Sequence, residues 1–88
     1  MATYCISYDL RKERAYEELY DKLKAYGTHS HTLESTWFVV TTKNAGKIRD
    51  ELRKVIDKDD GLIVIEVVKN WASHGLRPST NQWLKRNT

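Results

Sequence analysis

Tyr4, Ile6 and Tyr8 alternate with Cys5 and Ser7 between Thr3 and Asp9. Aromatic and β-branched residues at a spacing of two predict a strand, and the small residues on its second face predict close packing there. From about Glu13 the spacing lengthens. Ala15, Tyr16, Leu19, Tyr20, Leu23 and Tyr26 recur every three or four positions, with Glu17, Glu18, Asp21, Lys22 and Lys24 between them. That is an amphipathic helix, and Gly27 stands where a left-handed residue would end it. Residues 29–42 are rich in Thr, Val, Trp and Phe and read as extended. Fourteen residues exceed one ordinary strand, so the segment divides into strands at 29–34 and 36–42, with a bend at Glu34 to Thr36 that neither Gly nor Pro marks.

Asn44 is placed to cap a second helix, whose apolar stripe is Ala45, Ile48, Leu52, Val55 and Ile56. The cluster Asp57 to Gly61 ends it, and Leu62 to Val68 is an apolar run of strand length. The order βαββαβ predicts an α+β domain over residues 1–68, one sheet with both helices on a single face. Residues 69–88 follow as an extension with neither period sustained. Trp71 and Trp83 lie in it, and two tryptophans are costly to leave in water. The extension is therefore expected to pack on the domain or on a dimer partner.

Hydrophobic residues at 40% and charged residues at 31% describe a globular chain. At 88 residues the domain is thin, which makes pairing with a second copy an expected supplement. No apolar run approaches the ~20 residues of a membrane span, and the start carries no basic-then-apolar leader. Cytoplasmic residence without a membrane is the expectation. Cys5 has no second cysteine to pair with and reads as a small apolar strand residue. The net charge of +3 is unevenly spread: residues 1–68 carry eleven Lys and Arg against twelve Asp and Glu, whereas Lys69, Arg77, Lys85 and Arg86 meet no acid. The positive field gathers at the extension, where it would attract phosphates.

The candidate chemistry centres on Asp9. A carboxylate closing a strand, followed by Arg11, Lys12 and Arg14, suits a hard divalent cation flanked by phosphate-binding cations. One carboxylate makes a poor site, and a two-fold dimer would supply the second. The competing reading is a helix N-cap, which spacing alone favours. His29 and His31 share one strand face, open either to phosphate or base contact or simply to solvent. No spacing of Cys or acid completes a zinc set around them. Ser35 offers a hydroxyl to a phosphate; Trp37 and Phe38 offer stacking surfaces but read first as core. No Gly-rich phosphate loop and no nucleophile–His arrangement is legible.

Three segments resemble a known family. Tyr4-Cys5-Ile6-Ser7-Tyr8-Asp9-Leu10 resembles the first strand of the CRISPR-associated protein two (Cas-two) family. Leu33-Glu34-Ser35-Thr36-Trp37-Phe38 lies where that family has its Ser-Val-Phe-like segment, and Ile56-Asp57-Lys58-Asp59-Asp60-Gly61-Leu62-Ile63-Val64 resembles the acidic turn before its fourth strand. The likeness spans about residues 3–68. Leu33 to Trp37 and Trp71-Ala72-Ser73-His74-Gly75 look more like the SinR-like and VapD-like branch. The resemblance implies a ferredoxin-like homodimer. It implies that Asp9 holds a divalent metal, Mg2+, for cleavage of RNA or DNA, as an endoribonuclease or endodeoxyribonuclease. It equally implies a non-catalytic alternative, a dimer that binds duplex nucleic acid or a small phosphate-bearing nucleotide.

Overall fold

The structure, a computed structural model, describes residues 1–11 and 16–88. The described residues form strand β1 (Ala2–Asp9), helix α1 (Tyr16–Lys24), β2 (His29–Leu33), β3 (Thr36–Thr41), α2 (Ala45–Leu52) continued by a 3-10 turn (Arg53–Val55), β4 (Gly61–Val67) and α3 (Pro78–Asn87). The sheet is antiparallel in the order β2-β3-β1-β4. This is the ferredoxin-like arrangement, with β1 and β3 central and the two crossover helices together on one face.

Strand parity decides what that face contains. Tyr4, Ile6 and Tyr8 of β1 lie in register with Val39 and Trp37 of β3 and with Val64 and Leu62 of β4. Their side chains pack under Leu19 and Leu23 of α1 and Ile48 and Leu52 of α2, all fully buried. Each of these pairs sits at the i, i+4 spacing that puts both residues on one side of a helix. Gly27 ends the first crossover with φ of +92°, the left-handed conformation that a Cβ would strain.

Asn44 caps α2 through its side-chain Oδ1, which accepts from the Lys47 backbone N–H at 2.8 Å. Asn44→Ala should therefore lower stability by about 1 kcal/mol. The check is a lower urea midpoint at unchanged slope.

The β2–β3 hairpin turns on Glu34 and Ser35. Tight two-residue turns normally need positive φ, and no described non-glycine residue has it. The register instead shifts between His31 and Leu33, so a bulge supplies the local twist. Tyr8 holds the turn: its backbone N–H donates to the Ser35 carbonyl at 3.1 Å and its hydroxyl to the Glu34 carbonyl at 3.2 Å.

Beyond β4 the chain forms α3, where the sequence shows no sustained period. Only Trp83 and Leu84 are large and apolar in Pro78–Asn87, and being adjacent they make no stripe. Pro78 at the first turn starts the helix without a side-chain cap. Leu84 is buried, the Thr3 hydroxyl donates to the Asn87 carbonyl, and the Trp71 indole donates to the Thr88 hydroxyl at 2.8 Å. Thr3 is on the sheet face away from α1 and α2, so α3 lies over part of that second face. Phe38, Trp71, Leu76 and Leu84 border a cavity of about 270 Å³ between them. No helix among the described residues is long and apolar enough to cross a membrane.

Candidate functional site

One end of the sheet collects the residues of interest. Asp9 closes β1 opposite Gly61, the first residue of β4, while Ser7 meets Thr36 at the start of β3. The acidic turn 57–60 and the Glu34–Ser35 turn therefore flank Asp9 on either side. Parity turns Asp9 to the face opposite α1 and α2. Its side chain is 74% exposed.

Arg11 is fixed from three directions. Its backbone N–H donates to Asp60 Oδ1 at 2.8 Å, its Nη1 to the Asp59 carbonyl at 2.9 Å, and its Nε lies 3.5 Å from Asp9 Oδ2. The guanidinium crosses β4 directly over Gly61, where a Cβ would come within 3.2 Å of Nη2. A side chain at this position would push the guanidinium outward by a few tenths of an ångström. The turn is itself cross-braced, with the Asp57 N–H donating to Asp60 Oδ2 at 2.9 Å and the Asp59 N–H to Asp57 Oδ1 at 3.0 Å. Both oxygens of Asp60 accept backbone N–H groups.

The helix-cap reading of Asp9 turns on backbone N–H groups that include the one at position 12, which lies outside the described residues. Lys12 and Arg14, expected to contact phosphate, lie outside the described residues. Ser35 stands in the exposed turn one strand away, its carbonyl bonded to Tyr8.

The histidines share a face as the spacing requires, but it is the helix-covered face. Trp37 is the reason. His31 stacks on its indole at 4.3 Å between centroids and 15° between planes, and Tyr20 meets the His31 ring edge-on at 5.1 Å. The His31 Nε2 is 3.1 Å from the Glu34 carbonyl, and the His29 Nδ1 is 2.7 Å from the Gly27 carbonyl. His31 therefore joins the Asp9 end through Glu34, whereas His29 sits toward the other end. Trp37 is core, as an aromatic strand residue usually is; Trp71 and Trp83 belong to the extension. Cys5 is half-buried, and desolvation raises its thiol pKa, which suits packing and disfavours nucleophilic use.

A hard divalent cation takes about six oxygen ligands. No group of three or more His, Cys, Asp or Glu among the described residues is placed to hold a metal. The described residues of one subunit therefore present no complete metal site by themselves.

Comparison with protein families supplies the deciding observation: the model of CRISPR associated protein Cas2 matches residues 1–74. The chain belongs to the Cas2 family. Membership supports the nuclease-like function general to Cas2 proteins, which typically act as dimers. Among solved structures, the crystal structure of a hypothetical protein from Thermus thermophilus superposes with a TM-score of 0.67 at 21% identity, covering 84% of this chain and 90% of that one. At that identity the likeness speaks for the fold. Comparison with curated proteins gives no match. The Cas2 match runs through Trp71 and ends before α3, so this helix lies outside the matched region.

Proposed function

We propose that this Cas2 protein is a homodimeric, nucleic-acid-directed phosphodiesterase, cleaving RNA or DNA in the cytoplasm, with Asp9 of each subunit facing its symmetry mate. One observation carries the reading: the exposed Asp9 stands at the rim of an uncovered apolar strip. Ile63 and Ile65 of β4 are 54% and 52% exposed on the face that Asp9 shares, paired with Ser7 and Cys5. Apolar side chains exposed side by side on a small domain favour burial against a second copy. A two-fold contact across that strip would bring two Asp9 carboxylates toward one axis.

A Mg2+ ion between those carboxylates would supply an activated water and neutralise charge on the phosphate. Arg11, pinned beside Asp9, gives the approaching phosphodiester a fixed cation; Lys12, Arg14 and Ser35 extend that contact. Residues 69–88 act as a unit packed on the domain 1–68, with Trp71 and Trp83 as its anchors.

Incubating labelled RNA and DNA with the protein tests the reading. Cleavage should vanish on adding EDTA and return with excess Mg2+, and the native mass should be that of two chains. A second reading is favoured by the Arg11–Asp9 contact, because a guanidinium on the carboxylate competes with a cation for it. In that reading the dimer binds duplex nucleic acid or a phosphate-bearing nucleotide without turnover, His29 and His31 contributing. Binding unaffected by EDTA, with no cleavage under any metal, selects it.

A further inference from the structure

At the end of the sheet remote from Asp9, α1 and α2 converge on a basic groove. Lys43 follows Thr41, which pairs with Ala2 at the start of β1, so the groove begins a full strand length away from Asp9. Its walls are Lys22 and Tyr26 from the α1 side and Lys43, Lys47, Glu51 and Lys54 from the α2 side, around a volume of about 280 Å³. Four ammonium groups thus face one carboxylate.

Glu51 is already committed. Its Oε1 accepts from the Tyr26 hydroxyl at 2.6 Å and its Oε2 from Lys43 Nζ at 2.7 Å. These partners, with Lys47 nearby, hold its carboxyl below the usual range, so it remains ionised and acts as a brace. Lys43 also lies 5.4 Å from the Tyr26 ring centroid. The brace fixes a cation and an aromatic face in one geometry.

One carboxylate offsets only part of the charge of four lysines. The first turn of α2 has no acidic residue. Lys43 and Lys47 flank this N-terminus, where positive charge opposes the helix dipole. Lys22 and Lys54 approach from neighbouring elements with no ion-pair partner among the described residues. Like charges gathered around a concavity are unfavourable until an anion occupies it.

We propose that this groove is a second site, separate from Asp9, that binds a chain of phosphates through Lys22, Lys43, Lys47 and Lys54. The chemistry is shared by a free polyphosphate, the phosphate tail of a nucleotide and a nucleic-acid backbone. The site does not depend on the cleavage reading.

Titrating inorganic tripolyphosphate into the full chain at low salt provides the test. The double variant Lys43→Ala/Lys47→Ala should weaken binding at least about tenfold, since each lost cation removes a phosphate contact. The control Lys24→Ala/Arg49→Ala removes equal charge outside the groove and should change affinity less than about twofold. Lys22→Ala, which leaves the Glu51 brace intact, should weaken binding in the same direction as the first variant. Equal losses in the two double variants, or no binding by the parent chain, would overturn the proposal. Competition by a single-stranded oligonucleotide identifies the occupant as a nucleic-acid backbone. Tripolyphosphate binding without such competition identifies a free phosphate chain, and either result retains the site.

Discussion

Trp37→Ala should cost about 3–5 kcal/mol, the range for deleting a large buried aromatic, and leave little of a small domain's stability. Trp37 is 1% exposed and is the largest of the fully buried side chains. Its removal empties the space between β3 and α1, where Tyr20 lies 5.3 Å away between centroids. It also breaks a buried relay: the Trp37 indole donates to the Tyr8 hydroxyl at 3.3 Å, and that hydroxyl donates to the Glu34 carbonyl. Burial raises the Tyr8 phenol pKa far above its ordinary value, so the group stays protonated and able to donate. Losing the indole also unstacks His31 from the same turn. Urea denaturation followed by circular dichroism measures the cost. A loss under about 1 kcal/mol would mean that Trp37 is not the centre of this core.

Much of this core was legible because one side chain in two of a strand, and one in three or four of a helix, suffices to mark it. Tyr4, Ile6 and Tyr8 announced β1, and Leu19, Leu23, Ile48 and Leu52 announced the helix stripes. Asn44 and Gly27 punctuate the helices by local chemistry, so they too could be read from the chain alone. Asp9 was legible as a carboxylate at a strand end. Its surroundings were not, because Arg11 is held by a turn 48 and 49 residues further along. The two histidines showed their common face without showing which side of the sheet it was. That choice follows from the register His31–Trp37, which no local pattern encodes. The α3 helix escaped for a different reason. It is started by Pro78, and Leu84 is its one buried residue beside the half-buried Trp83, so periodicity had little to detect. The lysine groove needed α1 and α2 to be placed side by side before Lys22 could be seen beside Lys47.

Asp9→Asn should reduce metal-dependent cleavage by about 100-fold or more, since even residues that only support a metal ligand are worth 10–100-fold. Stability should barely move. The side chain is largely exposed, and its contact with Arg11 is a surface pair of the kind worth about 0–1 kcal/mol. Asparagine keeps the shape and can still accept from Arg11, so a lost activity with an unchanged urea midpoint assigns the effect to charge. Mixing the variant with the parent chain takes the argument further. If each cation needs a carboxylate from both subunits, only dimers with two parent chains cleave. An equal mixture after subunit exchange then retains about a quarter of the parent activity, against about half if each subunit acts alone. The shape of activity against mixing fraction, quadratic or linear, separates a shared site from two independent ones. Full activity in D9N itself would remove Asp9 from the chemistry altogether.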